Sequence, residues 1–399
     1  MNKKAFGIIF PIFFMLVSIR SIEQINWLSY LVPVFYFYFL FVGFKEIKNK
    51  ELKLFLVILV SFSLWAMITS FWSPYPLQSF IRASVFLVSS CCITLAGYYW
   101  INNYSKNGFV YLLPLNILLL TASFFSLMFK LPSDYWSGYG FGLKSFWSHQ
   151  NVLASLIIFT LPGLLVMPFK TKKIKIISTL ILFSLNIYVL LLTHSRTSAT
   201  VLLLAILLYI VLSKNFKILW IIILIITSVT AVYLINKDFH SLLHDYIFKT
   251  EISFLDRKKP ILSATYEASG HGGWKGLGYG VSDSTVEKNL QLNVHYHYEG
   301  VRIVREKGIS VLALLEETGW VGLVLFLLFV GYLFYVLILT YLKTMDRNSI
   351  ILICVLFGMC LHAQLEGWWL GVGSVQLPLF MGVAGVIIGN IRIKSAKNS

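Results

Sequence analysis

Two arginines stand where a cation could act on a phosphate group. Arg196 lies in the short turn 193–197 between two apolar segments, almost at hydrocarbon depth, where a charge is costly and commonly functional. Arg257 lies in the long polar region, and its planar guanidinium suits phosphate oxygens. The alternatives are that Arg196 only extends its head to the membrane interface and that the charge run around Arg257 is solvated surface. For Lys258 and Lys259 we accept solvation, whereas for Arg196 we favour a function.

Histidines are candidates for a general base, because an imidazole titrates near neutral pH. His295 and His297 lie in the same polar region, shortly before the cations Arg302 and Arg305. Their i, i+2 spacing is not typical of a helical zinc pair and no cysteine joins them, so no metal is expected.

Two further stretches combine polar side chains with accessible backbone. His149 and Asn151 offer a donor and an acceptor at the start of an apolar segment, where His149 could equally belong to a helix N-cap. The run 270–280 holds six glycines and Lys275, and glycine lets backbone amides approach an anion closely. Its spacing does not match a P-loop and no strand–helix context surrounds it, so nucleotide binding is not expected.

The rest of the chain must position these residues within a membrane. Of its 399 residues 58% are hydrophobic and 13% are charged, whereas a soluble domain carries about 25% charged residues. Apolar runs of about 18 residues or more recur, long enough to cross the hydrocarbon core as helices. They predict an all-α polytopic membrane protein with about twelve transmembrane helices. The predicted spans are residues 5–20, 27–44, 53–72, 80–100, 109–129, 150–168, 174–193, 197–213, 217–235, 318–342, 349–366 and 374–391.

Loops rich in Lys and Arg alternate with loops poor in them, which predicts that both termini face the cytoplasm. Residues 1–235 then hold spans one to nine, residues 236–317 form one large extracytoplasmic loop with short helices, and residues 318–399 hold the last three spans and a cytoplasmic tail. Within the loop, the amphipathic segment 302–317 predicts a helix lying on the membrane surface.

The net charge of +16 would suggest a nucleic-acid partner for a soluble protein. Here it fits the bias of positive residues towards cytoplasmic loops, so no nucleic acid is expected. The four cysteines lie in apolar segments without metal-ligand spacing and are expected to be buried apolar residues.

Four stretches follow one another in a characteristic order. They are His149-Gln-Asn-Val-Leu-Ala154, Ser195-Arg196-Thr197, Arg257 with the later Gly276-Leu-Gly-Tyr-Gly280, and Leu312-Ala-Leu-Leu-Glu-Glu317 continuing as Thr-Gly-Trp-Val-Gly322. Together they resemble the O-antigen ligase and O-antigen polymerase superfamily of bacterial envelope glycan enzymes. The similarity covers roughly residues 145–325, and the twelve-span layout fits the whole chain. It implies a GT-C-like fold with catalytic residues in a large periplasmic loop.

The resemblance implies a metal-independent glycosyltransferase without a cofactor, acting at the outer face of the bacterial cytoplasmic membrane. Its donor would be an oligosaccharide on undecaprenyl diphosphate, its acceptor another glycan or a lipid, and its protein partners a flippase and a chain-length regulator. Cations would stabilise the charge that develops on the leaving diphosphate. The residues assigned to that role are Arg196 and Arg257, supported by Arg302 or Arg305, with His149, Asn151, Lys275 and Glu317 as further substrate-binding residues.

The sequence departs from the family at Gly308, where relatives carry a His before the leucine-rich run. Another group must then be the base, and the candidates are His297, His295, Glu306, His362 and Glu366, of which we rank His297 and His295 first. This departure favours a polymerase of lipid-linked repeat units, as in O-antigen, capsule or exopolysaccharide synthesis. The alternatives are a ligase that transfers the glycan to a lipid A core or other acceptor, a transporter or flippase of lipid-linked sugars, and a non-catalytic sensor or scaffold.

Overall fold

Helices make up most of this computed structural model. It describes residues 3–19, 31–104, 108–129, 142–147, 149–166, 171–214, 254–283, 285–286, 297–298, 301–302, 307–371 and 373–395. The helices are α1 (Lys3–Ile19), α2 (Val32–Gly43), α3 (Lys50–Ile68), α4 (Pro76–Tyr99), α5 (Leu112–Met128), α6 (Gln150–Thr160), α7 (Lys172–Leu192), α8 (Arg196–Ser213), α9 (Phe254–Gly272), α10 (Ser310–Thr344), α11 (Arg347–Glu366) and α12 (Gln376–Ser395). The short strands β1 (His297–Tyr298) and β2 (Val301–Arg302) pair antiparallel between α9 and α10.

The predicted spans coincide with helices wherever the structure describes them, and the span at 217–235 lies outside the described residues. Local signals set several of the boundaries. Asn49 caps α3 by accepting from the amides of Glu51 and Leu52, both at 3.1 Å, and Asp346 caps α11 by accepting from Ser349 N at 3.1 Å. Such caps satisfy amides that the helix itself leaves unpaired.

The outer surface of the bundle is apolar, which indicates a membrane protein. Phe37, Phe41 and Phe71 are 76%, 74% and 82% exposed, an arrangement that a water-soluble monomer avoids over large areas. In the described part of the chain, six helices are by length and composition able to cross a membrane: Lys50–Trp72, Pro76–Tyr104, Lys173–Leu192, Arg196–Ser213, Ser310–Thr344 and Arg347–Glu366. Four shorter apolar helices accompany them: Ala5–Ser18, Leu112–Met128, Gln150–Leu165 and Gln376–Ile391.

Small residues line the contact between α4 and α12. A Cβ on Gly97 would lie 2.3 Å from the carbonyl oxygen of Gly382, and one on Gly385 would lie 2.1 Å from that of Thr94. Glycine therefore allows the two backbones to touch, as in other membrane helix pairs. All four cysteines are free and buried or half-buried, in agreement with the sequence-based expectation.

Helix α10 corrects the surface helix predicted for residues 302–317. Val301–Arg302 forms a strand, Gly308 has φ 65°, and Ile309 is extended, so the helix begins only at Ser310. It then continues into the next span across a kink at Gly319, whose φ of 67° and ψ of −172° are not helical. Glu316 and Glu317, at the end of that segment, are buried inside the protein.

Candidate functional site

Three helix ends carry the polar residues of the site. His149 caps the start of α6, its Nδ1 accepting from the amide of Asn151 at 3.1 Å. Ser195 caps the start of α8 by accepting from Ser198 N. The third end is the C-terminus of α11, where Gly367 adopts the left-handed conformation (φ 62°) that often closes helices.

The carboxylate of Glu366 joins these three ends. Asn151 Nδ2 donates to Glu366 Oε2 at 3.0 Å, and Thr197 Oγ1 donates to Glu366 Oε1 at 2.9 Å. Arg196 immediately precedes Thr197 as the first residue of α8, and its Nε atom is buried. We call Asn151, Arg196, Thr197 and Glu366 the Glu366 cluster. Its hydrogen bonds join the predicted binding residue Asn151 to the candidate base Glu366, and the predicted cation Arg196 precedes Thr197 in the chain.

His362 precedes Glu366 by one turn of α11 and is completely buried. Its Nδ1 accepts from the indole N–H of Trp368 at 3.0 Å, and its Nε2 lies 3.2 Å from Ser198 Oγ. An indole N–H can only donate, so Nδ1 carries no proton and Nε2 of the neutral ring donates to Ser198. The ring of Phe159 packs edge-on against the imidazole, with centroids 5.4 Å apart.

The glycine-rich run docks onto the kink of α10. The amides of Leu277 and Gly278 donate to the carbonyl oxygens of Glu316 and Glu317 at 2.8 and 3.0 Å, and the amide of Gly280 donates to Glu317 Oε2 at 2.6 Å. The anion that the run holds in this structure is therefore the chain's own Glu317.

Lys307 completes this interaction from the other side. Its Nζ lies 2.7 Å from Glu317 Oε1 and 3.2 Å from Glu316 Oε2, and it donates to the carbonyl oxygen of Val281 at 2.9 Å. All three charged side chains are at most 4% exposed. We call Lys307, Glu316 and Glu317 the buried ion cluster. Both oxygens of Glu317 are engaged within the protein, which ties the glycine-rich run and Lys307 to α10.

The turn at Gly308 brings the buried ion cluster next to the Glu366 cluster. A Cβ on Gly367 would lie 3.1 Å from the backbone nitrogen of Gly308. Val311 N donates to Gln364 Oε1 at 3.2 Å, which ties the start of α10 to the end of α11. Gly308 thus lies against the residue that follows Glu366.

Some of the remaining predicted site residues lie in described elements outside the two clusters, and others lie outside the described residues. Lys275 is exposed and lies 5.7 Å above the ring of Trp72. His297 and Arg302 face each other as partners in the β1–β2 ladder, and Arg257 lies on α9. Three predicted residues, His295, Arg305 and Glu306, lie outside the described residues.

One polar pair was missed by the sequence reasoning. His271 Nδ1 lies 2.6 Å from Asp283 Oδ2, with the imidazole 49% exposed. Burial alone would raise the pKa of Asp283, but hydrogen bonds from Thr285 and His271 outweigh it and hold that pKa below its usual value. The pair spans 12 residues with no helical register, so no periodic signal marked it.

An apolar cavity of about 240 Å³ opens between α6, α7, α8 and α11. Its walls include Phe159, Val201 and Gly358. Phe159 also packs against the ring of His362 on α11.

Comparison with protein-family models and with curated proteins finds no match to this chain.

Proposed function

We propose that this protein is a glycosyltransferase that polymerises polyprenyl-diphosphate-linked oligosaccharide repeat units at the outer face of the bacterial cytoplasmic membrane. The observation that carries the proposal is the convergence of Asn151, Thr197 and Glu366, with Arg196 next to Thr197 in the chain and Gly308 packed against Gly367. Asn151 and Thr197 come from two separate stretches that resemble one family, and Glu366 comes from a third part of the chain outside those stretches. A set of polar groups gathered at helix ends from distant stretches is what a reaction site requires.

The chemistry fits the charges available. When the glycosidic bond to the diphosphate breaks, negative charge develops on the leaving phosphate oxygen, and a cation held in a low-dielectric site stabilises it strongly. We assign this role to Arg196, half-buried at the start of α8, and to Arg257, with Arg302, Arg305 and Lys275 as supporting cations. The polyprenyl tail would lie in the apolar cavity between α6, α7, α8 and α11.

The decisive experiment uses purified protein in liposomes given a lipid-linked oligosaccharide, with products separated by size. A ladder of longer glycans with release of the diphosphate lipid is the expected result. Transfer only to an added acceptor would instead support a ligase. Movement of lipid-linked sugar between leaflets without any turnover would contradict an enzyme and support a flippase.

Arg196→Ala should lower kcat about 10²- to 10³-fold, the range found when one charge-stabilising donor is removed. Arg196→Lys should recover only part of the rate, because a point charge replaces a planar fork. The matched control is Lys343→Ala, which removes an exposed cation from the last turn of α10 and should turn over normally. A normal rate for Arg196→Ala would exclude the proposed diphosphate site.

A further inference from the structure

The proposed transfer needs a group that takes a proton from the acceptor hydroxyl, and Gly308 has no side chain to do so. His297, ranked first from sequence, has its backbone in the β1–β2 ladder opposite Arg302. The described part of the chain offers His149, His194, His271, His362 and Glu366 as candidate bases, and His194 is half-buried in the turn between α7 and α8.

His362 is excluded by its hydrogen bonds. Its only unprotonated nitrogen, Nδ1, already accepts from Trp368, and the side chain has no exposed surface. Accepting another proton would require breaking that bond and placing a charge in a fully buried site, which is costly. His362 therefore positions α11 against α8 through Ser198.

His149 is a poor base for a similar reason. Its Nδ1 accepts from the amide of Asn151 and so closes the first turn of α6. Protonation of that nitrogen would remove the helix cap. The position of His149 instead orients Asn151, whose side chain reaches Glu366.

Glu366 has the features that a base in this position requires. Its two oxygens are held by donors from two other helices, Asn151 on α6 and Thr197 on α8. Those donors fix the plane of the carboxylate, and a carboxylate has about four acceptor positions, so it can keep both bonds and still take a proton. The side chain is half-buried rather than enclosed.

Glu366 lies near Gly308, the position at which this chain lacks the His of the resembling family. Gly367, the next residue, packs against Gly308, where the resembling family places a His. Thr197, one of its two donors, is next to Arg196, the proposed cation for the diphosphate. Glu366 is thus linked to the position of the missing His through Gly367 and to the start of α8 through Thr197.

We propose that Glu366 is the general base of the transfer, in place of the His that this chain lacks at position 308; the proposal rests on the proposed function. The acceptor hydroxyl gives its proton to a Glu366 oxygen as its own oxygen bonds to the anomeric carbon. The bond from that carbon to the phosphate oxygen breaks at the same time, and its electron pair leaves on the diphosphate beside Arg196. The protonated carboxyl then returns its proton to water.

The test is turnover by the full-length protein in liposomes, with Glu366→Gln, Glu366→Asp and Glu366→Ala. Loss of a positioned base typically lowers the rate about 10²- to 10⁴-fold. We therefore expect Glu366→Gln to lower kcat by that factor with little change in KM, and Glu366→Asp to retain part of the activity. Formate should restore turnover to Glu366→Ala, since a small carboxylate can enter the space left by the side chain.

A pH profile separates a base from a structural residue. The fall in rate at low pH should be present in the wild type and absent in Glu366→Gln. The neighbouring elements bring other titratable or charged groups, which are His149 at the start of α6, His194 in the turn before α8, Arg196 at the start of α8, Lys307 before Gly308 and His362 on α11 itself. Their variants should change the rate without removing the dependence on a carboxylate or the rescue by formate.

The matched control is Glu267→Gln, the same change at an exposed position on α9, which should leave turnover unchanged. Wild-type kcat in Glu366→Gln, or failure of formate to rescue Glu366→Ala, would overturn this assignment while leaving the glycosyltransferase intact. Loss of activity in His271→Ala with a normal Glu366→Gln would move the base to the His271–Asp283 pair. A wild-type protein without turnover would instead end the proposed function itself.

Discussion

At the scale of single residues, candidate site residues could be chosen from the sequence, but the hydrogen bonds that join them could not be predicted. Arg196 and Asn151 could be singled out from sequence because a cation or an amide at the edge of an apolar segment is unusual. The partner of Asn151 is Glu366, 215 positions away, and no local pattern could have paired them. For the same reason His295 and His297 ranked above Glu366, since closeness in sequence was the only guide.

The buried ion cluster yields a stability prediction at this scale. Lys307→Met should destabilise the protein by about 3–5 kcal/mol, because it leaves two buried carboxylates without their cation. Thermal unfolding in detergent would measure the effect. Adding Glu316→Gln and Glu317→Gln to Lys307→Met should recover much of the loss, since no uncompensated charge then remains.

The control for that prediction is Lys275→Met at an exposed position, where surface substitutions usually change stability by about 0.5 kcal/mol or less. An unchanged melting temperature in Lys307→Met would mean that the ion cluster does not hold the loop to α10.

At the scale of elements, the apolar helices were predictable and their interruptions were not. A long apolar run identifies a span regardless of its partners, which is why the predicted spans coincide with helices wherever the chain is described. Helix α9 was missed because it carries a charge run and Pro260 and has no apolar stretch of membrane length. The kink at Gly319 depends on contact with residues 274–276, far away in sequence.

That contact gives a prediction for the glycine-rich run. Gly276 has φ +78°, and a Cβ there would lie 2.3 Å from the backbone carbonyl oxygen of Glu317. Gly276→Ala should therefore cost about 1–3 kcal/mol through strain and displacement of backbone, and it should make the loop more sensitive to limited proteolysis. Gly270→Ala is the matched control, because a Cβ at Gly270 has nothing within 4 Å. Equal proteolysis of the two variants would show that the run is not docked.

At the scale of the whole molecule, the polar residues of the site gather at one end of a bundle whose sides are apolar. The N-termini of α6 and α8 and the C-terminus of α11 meet there, and the start of α10 is tied to the end of α11. A donor carried by a membrane lipid can enter such a site laterally while its sugar stays in water. Which side of the membrane this end faces follows from the distribution of Lys and Arg among the short loops.

The orientation of the protein in the membrane is therefore the prediction on which the proposed function depends. In a background with each of the four cysteines changed to Ala, Glu267→Cys on α9 should react with a membrane-impermeant maleimide added to intact spheroplasts, because that residue is exposed and lies within the region predicted to be extracytoplasmic. Lys48→Cys, exposed in the loop between α2 and α3, should react only after permeabilisation. The two variants control for each other, because their cysteines are expected on opposite sides of the membrane. The reverse labelling pattern would place the site in the cytoplasm, where a donor presented on the outer leaflet could not reach Arg196 or Glu366.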